Sequence, residues 1–312
     1  MDGLVPGQEL RPIGLGITDR YQLDGGTVLG LDEQLRVVRR RDVEVTEGAS
    51  LLAATQDLEF VALSYLDRLV VHSADRTLEV GIESAETGVF LGDGRLVVSA
   101  SVIGDHEYDG EGDYLVQLVD VTSGDILDTV VLDVADAAVS AVQHPHDGSV
   151  LIDAGMGQDG SASFVVRVSG DRLDVAPLPE DVCVTGFDPP GRRLLLTPHP
   201  ANDDVATVVE WPSLRTIGEL RGESLGFEDE AIKIYGCFVG DDRIVLQVGE
   251  GQTDGVLLCT GDLTPVAWLD LDPDGESELD SILGVGPGMF VAEVWRGREK
   301  SLEIWRVPRE IS

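Results

Sequence analysis

The 312-residue chain carries 58 acidic against 22 basic side chains, a formal net charge of -36. That balance excludes nucleic acid and anionic membrane surfaces as partners, because both are held by clustered Lys and Arg. At 43% hydrophobic residues the chain has the means to fold throughout, and it contains no stretch near the roughly 20 apolar residues of a membrane-spanning helix.

Of the 22 basic residues only Lys233 and Lys300 are lysines, and Asn202 is the sole asparagine. A high-GC coding bias and a salty cytoplasm both produce that skew, so net charge alone speaks to solubility and association rather than to function. Residues 1–16 lack the positive segment and continuous apolar core of a secretory leader, and the expected location is cytoplasmic. Cys183, Cys237 and Cys259 each sit in an apolar run, the setting of buried reduced thiols rather than disulfides.

Taken in chain order, the sequence is a succession of short β-branched and aliphatic runs: 95–103 (RLVVSASVI), 114–121 (YLVQLVDV), 126–132 (ILDTVVL), 164–168 (FVVRV), 243–248 (RIVLQV) and 289–295 (MFVAEVW). Turn sequences separate them, among them GDGR at 92–95, TSGD at 122–125, SGDR at 169–172, PPGR at 189–192 and GDDR at 240–243. Sustained helical spacing is scarce, and the pattern predicts an all-β fold. The runs repeat as a unit. The first apolar residue after each opening turn gives seven anchors, Val28, Phe60, Leu96, Val150, Leu194, Ile244 and Phe290, separated by 32, 36, 54, 44, 50 and 46 residues. These separations centre near the roughly 40–50 residues of a four-stranded propeller blade. Residues 182–220 show the full unit, as VCVTGFD, PPGR, RLLLTPH, PANDD, ATVVEW, PSLR and TIGEL.

At these residues the chain resembles the WD40-type β-propellers, whose units read as an apolar strand, Pro-Asp-Gly, a second apolar strand, then an aromatic and Asp before a turn. The echoes are AVQHPHDGSVLI (141–152), GFDPPGRRLLLT (186–197), LVDVTSGDILDTVVL (118–132) and SLEIWRV (301–307). No Gly-His dipeptide opens a blade, and Trp211 and Trp305 are followed by Pro and Arg rather than Asp, so the repeats are degenerate. The expectation is one domain over 1–312, a seven-bladed β-propeller of four-stranded antiparallel blades. Its last blade shows only three strands in sequence, and the segment Glu9 to Ile13 is expected to supply the missing one and close the fold.

In a four-stranded meander the second-to-third-strand loop and the connection to the next blade share one end, so their charges add. The loops contain Asp105, Glu107, Asp109, Glu111, Asp113, Asp159, Asp203, Asp204, Glu250 and Asp254 without a Lys or Arg; the connections add Glu223, Glu228, Asp229, Glu230 and the stretch 270–280. Within that face Asp105, Glu107, Asp109, Glu111, Asp203, Asp204, Glu250 and Asp254 are the candidate partner-binding residues. Two stretches have oxygen ligands at calcium-loop spacing: Asp270, Asp272, Asp274 with Glu278, and Asp105, Glu107, Asp109 with Asp113. Alternate carboxylates on a tight Gly-bearing loop converge on a hard cation such as Ca2+, although Ser281 and Val116 stand where an EF-hand has its bidentate Glu.

Two enzyme-like spacings fail on context. Gly155, Gly157 and Gly160 spell G-x-G-x-x-G, yet Phe164 to Val168 reads as strand, where a dinucleotide site needs a helix. Gly222, Ser224 and Gly226 spell G-x-S-x-G, yet all five histidines precede Ser224, against the order of the α/β-hydrolases. The cations at 36, 39, 40, 41, 296, 298 and 300 are expected chiefly to relieve self-repulsion. With no catalytic constellation left, the leading expectation is a monomeric, non-catalytic protein-protein interaction or scaffold module with a protein partner at its acidic face. The resemblance implies the same. The alternatives are a metal-dependent propeller enzyme of lyase or lactonase type, and a neutralising binder of a basic toxin or nucleic-acid enzyme. Deleting residues 1–16 is expected to lower the melting temperature of the whole domain; a truncated chain that melts with the full one overturns the closure.

Overall fold

The computed structural model describes residues 21–32, 35–101, 114–134, 137–179, 181–200, 204–227, 231–250, 253–271 and 277–307. Contacts divide the chain into two compact units with the boundary between residues 180 and 181.

The first unit holds four antiparallel sheets. They are β1 (Tyr21–Asp24), β2 (Thr27–Leu31) and β3 (Val37–Asp42); β4 (Ser50–Ala54), β5 (Val61–Ser64), β6 (Leu69–His72) and β7 (Thr77–Val80); β8 (Ala85–Leu91), β9 (Arg95–Ser101), β10 (Tyr114–Asp120) and β11 (Ile126–Leu132); and β12 (Ala138–Gln143), β13 (Val150–Gly155), β14 (Ser161–Ser169) and β15 (Arg172–Pro177). The second unit holds three: β16 (Val182–Phe187), β17 (Arg193–Pro198), β18 (Val205–Glu210) and β19 (Arg215–Arg221); β20 (Ile232–Phe238), β21 (Arg243–Glu250), β22 (Thr253–Thr260) and β23 (Pro265–Leu269); and β24 (Ser277–Gly286), β25 (Met289–Arg296) and β26 (Glu299–Arg306). Every sheet is a simple meander, and the chain is an all-β, seven-bladed propeller.

Burial explains why the anchors were legible. The inner strands are the most covered, so the second strand β5 and the third strand β6 read as unbroken buried runs and the second strands β9 and β17 nearly so, whereas the outer strands β7, β11, β15 and β19 alternate with solvent. Val28, Leu96, Val150, Leu194, Ile244 and Phe290 are fully buried within second strands. Phe60 stands one residue before β5, where Thr55 and Phe60 exchange backbone and side-chain hydrogen bonds that tighten the hairpin. The core lies between successive blades. Leu52, Leu69 and Val71 of the second blade pack on Leu96, Val98 and Val119 of the third, and Leu195, Ala206 and Val208 of the fifth pack on Ile244, Leu246 and Leu257 of the sixth.

Five sheets have the expected four strands; the first and last have three among the described residues. In the first blade the chain leaves β3 and runs straight to β4, tied on the way by Val43 N–H to the Gly26 carbonyl. That omission accounts for the 32-residue separation, the shortest of the six. The expected closing segment, Glu9 to Ile13, lies outside the described residues.

Three polar side chains at the blade contacts are paired across blades. Ser64 Oγ donates to the Ala85 carbonyl at 2.6 Å, Thr197 Oγ1 to the Ile234 carbonyl at 2.7 Å, and Gln247 Nε2 to the Leu279 carbonyl at 3.2 Å; in each case a second strand reaches the first strand of the next blade. Two arginines that open second strands clasp the third-to-fourth-strand turn of the following blade. Arg95 donates to the Gly170 carbonyl and to Asp171, and Arg193 to the Gly261 carbonyl while held by Asp188 at 2.9 Å. A Cβ on Gly261 would stand 2.2 Å from the Arg193 guanidinium, so the clasp requires glycine there. The three cysteines are free and buried, and desolvation pushes the Cys259 thiol up to about 12.

Turn carboxylates supply a further layer. Asp120 accepts the Thr122 hydroxyl at 2.6 Å, the Thr122 N–H at 2.7 Å and the Ser123 N–H at 3.2 Å, and these bonds, the hydroxyl first, hold its carboxyl below its ordinary value. The Thr260 hydroxyl does the same for Asp262, as the Glu59 N–H and then the Thr55 hydroxyl do for Asp57. Such groups stabilise the fold fully above the unfolded carboxyl value, about pH 4, and the contribution is lost as pH falls through the lower folded value. Asp120→Ala is therefore expected to cost about 1 kcal/mol at pH 7 and markedly less at pH 2.5, read by urea unfolding at both.

Candidate interaction site

Within each blade the second-to-third-strand loop and the outgoing connection share one end, called here the upper end, as antiparallel meanders require. The loops expected to be acidic join second strands to third strands, and much of their length lies outside the described residues. Among the candidate residues, Asp105, Glu107, Asp109, Glu111, Asp113, Asp203, Asp272 and Asp274 lie outside the described residues. Glu250 closes β21 and Asp254 belongs to β22, in a hairpin that pairs Glu250 with Thr253 and Gly249 with Asp254. Asp270 follows β23 and is exposed, and Glu278 is exposed near the start of β24, opposite Trp295.

Asp204 has a different place from its sequence neighbour. Its Oδ1 accepts the Ile232 N–H at 2.7 Å and its Oδ2 the Ala231 N–H at 3.0 Å, while its carbonyl accepts the Gly222 N–H at 3.0 Å. One carboxylate thus ties the fifth blade to the entry of the sixth. Gly222 makes room for it, since a Cβ there would fall 1.6 Å from Oδ2. The serine of the G-x-S-x-G spacing lies on the same connection, in a short 3-10 turn, and Ser224 Oγ donates to the Arg221 carbonyl. The G-x-G-x-x-G segment is likewise a 3-10 turn leading directly into β14.

Several of the basic residues have partners within the chain. Arg36 pairs with Asp32, Arg39 donates to the Gln56 carbonyl, and Arg41 donates to the Leu58 and Glu59 carbonyls. In the last blade Lys300 Nζ sits 2.9 Å from Asp280 and 2.8 Å from Glu293, with the Trp295 ring centroid at 5.4 Å, and Arg296 pairs with Glu303. Glu293 and Asp280 raise the Lys300 pKa above its ordinary value, and Lys300 lowers that of Asp280. Tyr235 lies in the same field, its phenol pushed up first by burial and then by Asp280 and Glu293. The spacing 280, 293, 300 carries no sequence signature, because only the pairing of β24, β25 and β26 places the three on one face.

The histidines have structural surroundings. His144 Nδ1 accepts the backbone N–H of His146 at 3.1 Å and of Asp147 at 2.9 Å, stapling the turn into β13. His72 is buried, and desolvation lowers its pKa. Among the described residues no three His, Cys, Asp or Glu side chains converge as a metal site, and no helix is long and apolar enough to cross a membrane.

Comparison with known proteins defines the class. No protein-family model matches the chain, and no curated protein matches it. Solved structures match in number, 580 chains, which by itself selects no function. The β-propeller domain of the trilobed protease from Pyrococcus furiosus is similar at 13% identity and a TM-score of 0.52, over 91% of this chain and 90% of that one. YCF48 bound to D1 peptide is similar at 12% identity and 0.55, over 94% and 89%. The Dos1 propeller is similar at 11% identity and 0.53, over 90% and 72%. These likenesses establish the β-propeller fold.

Asp204→Ala leaves two N–H groups without their charged acceptor and is expected to cost about 2 kcal/mol of stability, whereas Glu278→Gln on the surface stays within about 0.5 kcal/mol. Chemical denaturation of the two variants checks the contrast.

Proposed function

We propose that this chain is a protein-interaction module that docks a basic polypeptide on the acidic upper ends of its blades. The observation that carries the reading is how the few cations are used. Arg36, Arg95, Arg193, Arg296 and Lys300 are engaged in ion pairs with the chain's own carboxylates, and Arg39 and Arg41 with its carbonyls. With 58 carboxylates against 22 cations, internal pairing cannot neutralise the surplus, and in sequence the candidate loops between second and third strands carry carboxylates without a Lys or Arg. A negative field of that kind raises the encounter rate with a basic partner and weakens with salt. A known neighbour of this fold, YCF48, has been solved with a bound peptide, which supports peptide or protein docking as a use of the architecture.

The test is capture of a basic partner from the native host on immobilised protein, beside a variant with Asp105, Glu107, Asp109, Glu111 and Asp113 changed to Asn or Gln. Capture is expected to fall steeply with salt and to weaken in the variant. Capture that persists unchanged in molar salt overturns the reading.

A further inference from the structure

Trp268 is the most conspicuous side chain that the fold leaves unexplained. It lies on the outer strand β23, remains 52% exposed, and belongs to the sheet face that packs on the fifth blade, since its cross-strand partner Leu257 is part of that core. An indole of about 200 Å2 left half in water on a highly charged surface is a poor use of apolar area unless the open half meets something.

The seat beneath it is specific. One edge of the indole rests on Gly255 of the neighbouring strand β22, where an added Cβ would meet the ring carbons at 3.4 and 3.5 Å. A second aromatic stands beside it. Phe227, from the connection between the fifth and sixth blades, meets the indole at 6.2 Å between centroids and 69° between planes, and is itself anchored on the core of those blades. Two rings at that angle form a corner with negative π faces.

The surroundings have the same sign. Asp270 is exposed two residues beyond Trp268, and Glu223 is exposed on the connection that carries Phe227. Arg221, the described cation of this connection, is held toward Glu219 at 3.5 Å. Among the described residues, cations stack on Tyr65, Phe238 and Trp295 but not on Trp268.

From this geometry we infer that the Trp268–Phe227 corner is a cation-π seat for an arginine or lysine side chain of the docked polypeptide. The inference rests on the acidic-surface reading above and adds to it a position and a side-chain chemistry. A guanidinium stacked on the open indole face buries the apolar half of the ring while its N–H groups reach the carboxylates around it, so ring and charge act on the same group. Aliphatic or acidic side chains would satisfy only one of the two or neither.

The test uses the full chain labelled with 5-fluorotryptophan and titrated with acetylated pentaarginine amide at low ionic strength, with the pentacitrulline peptide as the uncharged control. Trp268 is expected to show the largest saturable 19F shift of the four tryptophans. Trp268→Ala is expected to weaken binding about three- to tenfold, Trp268→Phe less, and citrulline is expected not to compete. Thermal melts confirm that the exposed-site variants stay folded. Equal binding of pentaarginine to wild type and Trp268→Ala overturns the seat and leaves the acidic-surface reading standing; no binding to the wild type overturns both.

Discussion

The fold depends on one requirement: each second strand needs a cover on both faces, and a single sheet supplies neither. β5, β9, β17, β21 and β25 carry the largest fully buried side chains of the molecule, Leu63, Leu96, Leu194, Leu195, Ile244, Leu246 and Phe290 among them. The partners of β5, β9 and β21 belong to the blades before and after, and β17 and β25 each pack on a neighbouring blade of the same unit, so the apolar repeat in the sequence is a record of contacts between blades rather than within them. Once the strands are sandwiched, backbone carbonyls at the edges of the first strands would be stranded away from water. Ser64, Thr197 and Gln247 meet that need from the second strand of the preceding blade.

The same requirement disposes of the charge. Arg95 and Arg193 sit at the lower end of second strands because only there can a side chain cross to the turn of the next blade, and each brings a carboxylate with it, Asp171 in one case and Asp188 in the other. Asp57, Asp120 and Asp262 are consumed in turns as acceptors for Thr hydroxyls and backbone N–H groups. Part of the acidity is therefore architecture. The remainder is what the interior cannot use.

The physics of each feature decided how far the sequence could be read. Strand order and blade number were readable because double-sided burial writes long apolar runs, and the anchors fell in or next to the second strand of every sheet. The three-stranded first blade was implicit in the 32-residue separation but needed the direct passage from β3 to β4 to be understood. Site residues were harder. Asp203 and Asp204 are indistinguishable in sequence, yet the N–H groups that Asp204 binds are 27 and 28 residues away. The Lys300, Asp280 and Glu293 group likewise exists only through strand register, and Trp268 reads as one more apolar strand residue until its exposure and its Phe227 neighbour are seen.

A fold shared by so many proteins makes function a question of what is left over after the fold's own demands are met. Subtracting the latches, clasps and turn caps removes most described arginines and His144 from consideration, and it removes Asp204 as well. What remains on the second unit is a set of exposed carboxylates beside an aromatic corner that packing alone does not require. An acidic surface without such a corner attracts any polycation and releases it with salt; an aromatic corner without the charge holds any apolar group. Together they discriminate, because only a side chain that is both flat or extended and positively charged satisfies the two at once. On the proposed reading the net charge of -36 would set the rate and range of encounter, while the choice of what stays bound would belong to a few residues placed by β23 and the fifth-to-sixth blade connection.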